Sequence, residues 1–192
     1  AWIFLGFQLL GTTINATLTL KRNPGLIEER LSVKPDVKRW DKLLMPVMAW
    51  GGLFSILLAS LEQRLAPGGP DPTILSAAGW AALASGYALA SWAMASNPFF
   101  SALVRIQQDR GHRVVCRGPY RWVRHPGYLG AIFVNLALPV IFSSRWALVP
   151  AGLTVLASLA RTVLEDRTLH RELPGYAAYA SRIRWRLLPA VW

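Results

Sequence analysis

A chain of 192 residues with 53% hydrophobic and 16% charged residues, nine Trp and a mean hydropathy of +0.32 cannot be a disordered segment. It also departs from an ordinary soluble globule, in which about 25% of residues are charged, and its lone Cys116 excludes an intrachain disulfide scaffold. A formal net charge of +11 suggests nucleic acid in a soluble protein, but the positions of the charges give it a different origin.

In chain order, five apolar runs have the character of membrane spans, given a hydrocarbon core of about 30 Å. They cover residues 1–20, 43–61, 73–100, 128–142 and 146–163. The first lacks a basic leader and a small-residue cleavage site, so it reads as a span and not as a signal peptide. The chain opens on Ala1 and not on Met, which suggests that further sequence precedes it. All ten acidic residues lie outside the five runs. The short link Ser143-Ser144-Arg145 predicts an antiparallel hairpin between the fourth and fifth. Residues 66–72, rich in Pro and Gly, read as a turn between the second and third. In the third run Ala78, Ala82, Gly86 and Ala90 form a small face that favours close helix packing over a substrate groove.

The basic residues alternate between links. Lys21, Arg22, Arg30, Lys34, Lys38, Arg39 and Lys42 follow the first run, and only Arg64 follows the second. Arg105, Arg110, Arg113, Arg117, Arg121 and Arg124 follow the third, and only Arg145 follows the fourth. Arg161, Arg167, Arg171, Arg182, Arg184 and Arg186 lie at and beyond the end of the fifth. Cytoplasmic loops collect Lys and Arg, so the N-terminus is expected outside and the C-terminus in the cytoplasm. The positive charge then reflects topology and attraction to anionic lipid, and no nucleic-acid partner is expected. The expected fold class is an all-α, multi-pass integral membrane protein of about five helices with a pocket at the cytoplasmic ends of the last two. Residues 1–97 would supply the N-terminal helices and first cytoplasmic loop, and residues 98–192 the part that holds most of the reactive groups, within one integral membrane domain.

Reactive groups concentrate on the basic side. His112, His125 and His170 have no metal-ligand spacing, and no phosphate-binding Gly loop or nucleophile elbow is present, so no metal is expected. Cys116 reads as incidental. Residues 117–128, Arg-Gly-Pro-Tyr-Arg-Trp-Val-Arg-His-Pro-Gly-Tyr, combine a Gly118-Pro119 turn with Pro126 in the first turn of a helix. This stretch reads either as an interfacial anchor or as a ligand site at a helix N-terminus. After the fifth run, Arg161, Glu165 and Glu172 share a helical face, and Tyr176 and Tyr179 share another beyond the Pro174-Gly175 break. A carboxylate such as Glu165 at a membrane boundary requires a partner or a task. The hairpin brings both stretches to the same side.

These residues carry a resemblance. Gly118-Pro119-Tyr120, Arg124-His125-Pro126 with Tyr128 and Gly130, Leu164-Glu165-Asp166, Tyr176, Tyr179 and Leu188-Pro189 together resemble the isoprenylcysteine carboxyl methyltransferase family, and more distantly phospholipid methyltransferases. The likeness runs from about Asn97 to Trp192, and the family usually has two Glu where this chain has Glu165-Asp166. It implies an S-adenosyl-L-methionine-dependent methyltransferase of the membrane acting on a lipophilic acceptor, most simply the carboxylate of a prenylated cysteine. It further implies that Tyr120, His125, Tyr128, Leu129, Glu165 and Tyr176 bind the cofactor. Arg124 would lie beside the acceptor, and Arg124 and Glu165 would be the catalytic pair. A carboxylate with a pKa of about 4 needs no base, whereas an amine must lose a proton to Glu165 or His125. A phospholipid-type N-methyltransferase, a lipid-processing enzyme such as a reductase, and a non-catalytic lipid-binding protein are the alternatives.

Overall fold

A computed structural model describes residues 2–31, 36–66 and 73–192. Among these residues the regular structure is entirely helical: α1 (Trp2–Arg22), α2 (Gly25–Leu31), α3 (Asp41–Leu65), α4 (Thr73–Ser96), α5 (Pro126–Ile141), α6 (Leu148–Glu172) and α7 (Tyr176–Arg182). Two short 3-10 turns, Gln108–Arg110 and Gly118–Arg121, interrupt the long connection between α4 and α5. The 67–72 part of the expected Pro- and Gly-rich turn lies outside the described residues.

Among the described residues, three of the five expected spans have the length and apolarity of a membrane crossing. Helices α1, α3 and α6 are long and apolar enough to cross a membrane. Helix α5 is apolar but has 16 residues, about 24 Å of rise, short of a core of about 30 Å. Its start is set by Pro126 at the first helical position, where the missing N–H leaves no bond unmade. Helix α6 overruns the expected boundary at residue 163 and continues to Glu172. Glu165 and Asp166 therefore sit within a continuous helix.

Small residues decide how the helices approach. A Cβ on Gly86 of α4 would lie 2.7 Å from the Gly130 carbonyl oxygen, and one on Gly130 of α5 would lie 2.7 Å from that of Gly86. The two backbones touch there, so the small face of α4 serves packing. On the opposite flank, a Cβ on Gly51 of α3 would collide with Thr154 Oγ1 of α6 at 1.8 Å. The buried hydroxyls of Thr154, Ser158 and Thr162 donate to carbonyls four residues earlier, each at 2.8 Å. This lets a polar stripe on α6 be buried without unmade hydrogen bonds.

The expected α5–α6 hairpin is present. Ser144 N–H donates to the Pro139 carbonyl at 2.9 Å, and Ser143 takes a positive φ of 48°. The Glu62 carboxylate of α3 accepts from Ser144 Oγ and from Trp146 N–H, tying this turn to the end of a third helix. At the other end of the bundle Arg105 is fixed by a bidentate pair with Glu29 at 2.7 Å, both side chains buried. That contact ties the α4–α5 connection to α2.

Candidate active site

The site is built where α5 begins and α6 ends. His125 caps α5 and Tyr128 follows within its first turn. Tyr128 hydroxyl donates to the carboxylate of Glu165 on α6. One turn earlier, the Arg161 guanidinium lies 5.5 Å over the Tyr128 ring and pairs at 2.7 Å with Asp41, the first residue of α3. Arg161 Nη2 also donates to the Ala102 carbonyl at 2.6 Å. Helices α3, α5 and α6 and the α4–α5 connection thus meet at one cluster.

Consecutive residues on an α-helix point about 100° apart, and this separates the two acids. Glu165 faces a cavity of about 330 Å³ also lined by Tyr120, His125, Tyr128, Tyr176 and the rings of Phe99 and Phe100. That volume falls at the lower end of small-molecule sites, about 300–1,000 Å³. Among the described residues Glu165 has no basic partner within ion-pairing distance. Asp166 turns away from the cavity and is 2% exposed. It accepts from Arg124 Nε and Nη2 at 2.9 Å, Arg186 Nε at 2.9 Å and Tyr176 hydroxyl at 2.8 Å, with His125 Nε2 at 3.2 Å.

Asp166 thereby fastens the C-terminal segment across the start of α5. Arg124 Nη1 donates to the carbonyls of Ile183 and Arg184 at 2.9 and 2.8 Å. Arg124 N–H and His125 N–H donate to the carbonyls of Trp185 and Arg186, both at 2.9 Å. Tyr179 hydroxyl reaches the Tyr120 carbonyl at 2.8 Å, bracing α7 against the 3-10 turn at Gly118–Arg121. Gly118 has a φ of +59°, and a Cβ there would lie 2.2 Å from Ser96 Oγ, so this turn accepts only glycine.

Of the residues singled out from sequence, Tyr120, Arg124, His125, Tyr128, Glu165 and Tyr176 line one cavity. Leu129 does not: its side chain packs into a core with Ile132 and Leu187. One step round the helix from Tyr128 carries it away from the cavity. Arg124 reaches the cavity wall, but four of its five donors are committed to Asp166 and two carbonyls, so it has little left to hold a substrate. Sequence reasoning missed the central place of Asp166 and the Asp41–Arg161 pair. The neighbouring-acid motif was the only available signal for the first, and there was none for the second.

Burial pushes the Tyr120 hydroxyl well above its ordinary range. Burial and the Asp166 charge do the same for Tyr176. Both stay protonated at neutral pH: the Tyr176 hydroxyl donates to Asp166, and the Tyr120 hydroxyl accepts from Asn97 Nδ2 at 3.3 Å. Burial lowers His112, on the cavity wall, to about 4, so it is a neutral ring there. Among the described residues no group of three or more His, Cys, Asp or Glu is placed to hold a metal ion.

Residues 80–171 match the model of the isoprenylcysteine carboxyl methyltransferase family. That stretch, just under half of the chain, is similar to the family whose motifs the sequence carries. It is also 32% identical over 100 residues to the Lamin-B receptor of Drosophila melanogaster, covering 50% of this chain and 14% of the receptor. Its fold is similar to the structure of the eukaryotic intramembrane Ras methyltransferase isoprenylcysteine carboxyl methyltransferase. The TM-score is 0.59 at 21% identity, covering 73% of this chain and 54% of that one. The chain therefore spans 14% and 54% of the lengths of these two relatives. The matched stretch takes in most of α4, the α4–α5 connection with Tyr120 and His125, α5 with Tyr128, and α6 up to residue 171 with Glu165.

Proposed function

We propose that the chain transfers a methyl group from S-adenosyl-L-methionine to the carboxylate of a prenylated cysteine or a similar isoprenoid lipid, at the cytoplasmic face of the membrane. The observation that carries this reading is the Glu165 carboxylate, which has no basic partner among the described residues, in an aromatic-lined cavity within the matched stretch. A cationic cofactor suits that cavity. Glu165 supplies the opposite charge, and Tyr128, Tyr120, Phe99 and Phe100 supply ring faces for a cation or a flat base. When bound, the cofactor supplies an electrophilic methyl on a sulfonium.

The residues of the chain then hold and orient. An ionised carboxylate acceptor attacks without a general base, so the protein contributes alignment and exclusion of water. The acceptor needs a cation, and two other arginines suit that role better than Arg124. Arg124, Arg105 and Arg161 are already paired with acids. Arg30 and Arg113 also line the cavity and make no ion pair among the described residues, with Arg30 5.6 Å over the Phe100 ring. These two hold the acceptor carboxylate. Arg124 acts through Asp166 as a positioning residue that keeps the α5 start and the C-terminal segment in place.

The test is transfer of tritiated methyl from S-adenosyl-L-methionine to an N-acyl S-prenyl cysteine by purified protein in detergent. The expected product is a methyl ester, which base releases as volatile methanol. Base-stable label in an amine-bearing phospholipid would replace the carboxylate reading with the N-methyltransferase one. No transfer, together with no cofactor binding, would leave a lipid-binding protein.

A further inference from the structure

A second cavity, separate from the proposed active site, opens between α1 and α4. It has a volume of about 550 Å³ and runs from Phe7 to Arg22 along α1. Fifteen helical steps give it a length of about 22 Å, more than half of a hydrocarbon core of about 30 Å. Polar contacts bridge the two helices along it. Tyr87 hydroxyl bonds Gln8, Asn15 Nδ2 donates to Ser91 Oγ at 2.9 Å, and Asn23 Nδ2 donates to the Met94 carbonyl at 2.8 Å. Between these contacts the walls are Leu10, Ile14, Leu18, Ala84, Ala88 and Ala95.

One end of this groove is basic. Arg22 lines it, and Arg117 donates Nε to the carbonyl of Ser96, another lining residue, at 2.8 Å. Neither arginine makes an ion pair among the described residues, both are exposed, and no acidic residue lines the groove. Trp92 lines the same end and stacks edge-on with the exposed Trp122, ring centres 5.4 Å apart. An apolar slot ending in free guanidinium groups and indole rings matches an acyl chain whose headgroup is anionic.

We propose that this groove binds one acyl chain of an anionic glycerophospholipid, with its phosphate between Arg22 and Arg117, as a lipid site distinct from the catalytic cavity. The chain lies against α1 and α4, and the headgroup bridges the end of α1 to the connection that carries Gly118 and Tyr120.

Native mass spectrometry of the full chain in detergent, with phosphatidylglycerol and phosphatidylcholine of identical acyl chains, tests it. The expected result is retention of one phosphatidylglycerol in clear preference to phosphatidylcholine. The preference should fall roughly fivefold per arginine removed in Arg22→Gln and Arg117→Gln, which alter only exposed side chains. Ala88→Phe, which fills the slot and leaves both arginines, should reduce retention of both lipids. Equal retention of the two lipids, or an unchanged preference in the double arginine variant, would overturn the proposal. So would a dimer that forms in wild type and is lost in Ala88→Phe, since the groove would then seat a second copy.

Discussion

Glu165 and Asp166 are adjacent in sequence and do different work because a helix turns them apart. Glu165→Gln should weaken cofactor binding at least tenfold with little change in thermal stability, since it removes a charge facing a cavity and not a partner in an ion pair. Asp166→Asn should do the reverse. Its buried pair with Arg124 has both side chains below a tenth exposed, and breaking such a pair costs about 3–5 kcal/mol. A fall in melting temperature in detergent, larger than for Glu165→Gln, is the expected reading. Arg124→Lys should share that instability because a lysine cannot reproduce the two-pronged contact. Arg30→Gln should instead raise the acceptor KM at nearly normal stability. The motif residues His125, Tyr128 and Glu165 were legible in sequence because their spacing is local and carries a family pattern. Asp41 and Arg161 were not, since they meet across 120 positions of chain and neither belongs to a periodic or clustered signal.

Among the elements, the α4–α5 contact depends on the absence of side chains. Gly130→Val should destabilise by about 1–3 kcal/mol, because the new atoms meet the α4 backbone and cannot be moved aside. Gly152→Ala on α6 is the control: nothing lies within 4 Å of the added Cβ, and helix propensity favours Ala by up to about 1 kcal/mol. Paired unfolding curves read both. The 97–125 connection adds a pH dependence. His112 is held to about 4 by burial, against an ordinary value of 6.5. Its unfolded form therefore binds a proton more readily than its folded form between those values. Stability is greatest above pH 6.5 and declines as pH falls towards 4, and His112→Gln should flatten that decline. The small face and the hairpin turn were visible beforehand as composition and link length. The helical face of Arg161, Glu165 and Glu172 was legible too; the burial of Asp166 in that helix was not, because its partners Arg124 and Arg186 come from other segments.

For the whole molecule, alternating basic and neutral links suggested an orientation that the helices alone do not fix. Cys116 is exposed in the connection before α5. If the basic face is cytoplasmic, an impermeant maleimide should label Cys116 in inverted vesicles and not in intact cells. Labelling of intact cells would move the site to the outer face. Such charge counting reads loops, while the site depends on how segments far apart in the chain converge, which no single stretch of sequence encodes. The reading of the molecule as a methyltransferase rests on the cavity beside Glu165. Calorimetric titration of the purified chain with S-adenosyl-L-methionine tests it most directly. Saturable one-to-one binding, weakened at least tenfold in Glu165→Gln at unchanged melting temperature, is the expected result. No binding by the folded wild type, or equal affinity in the variant, would refute it.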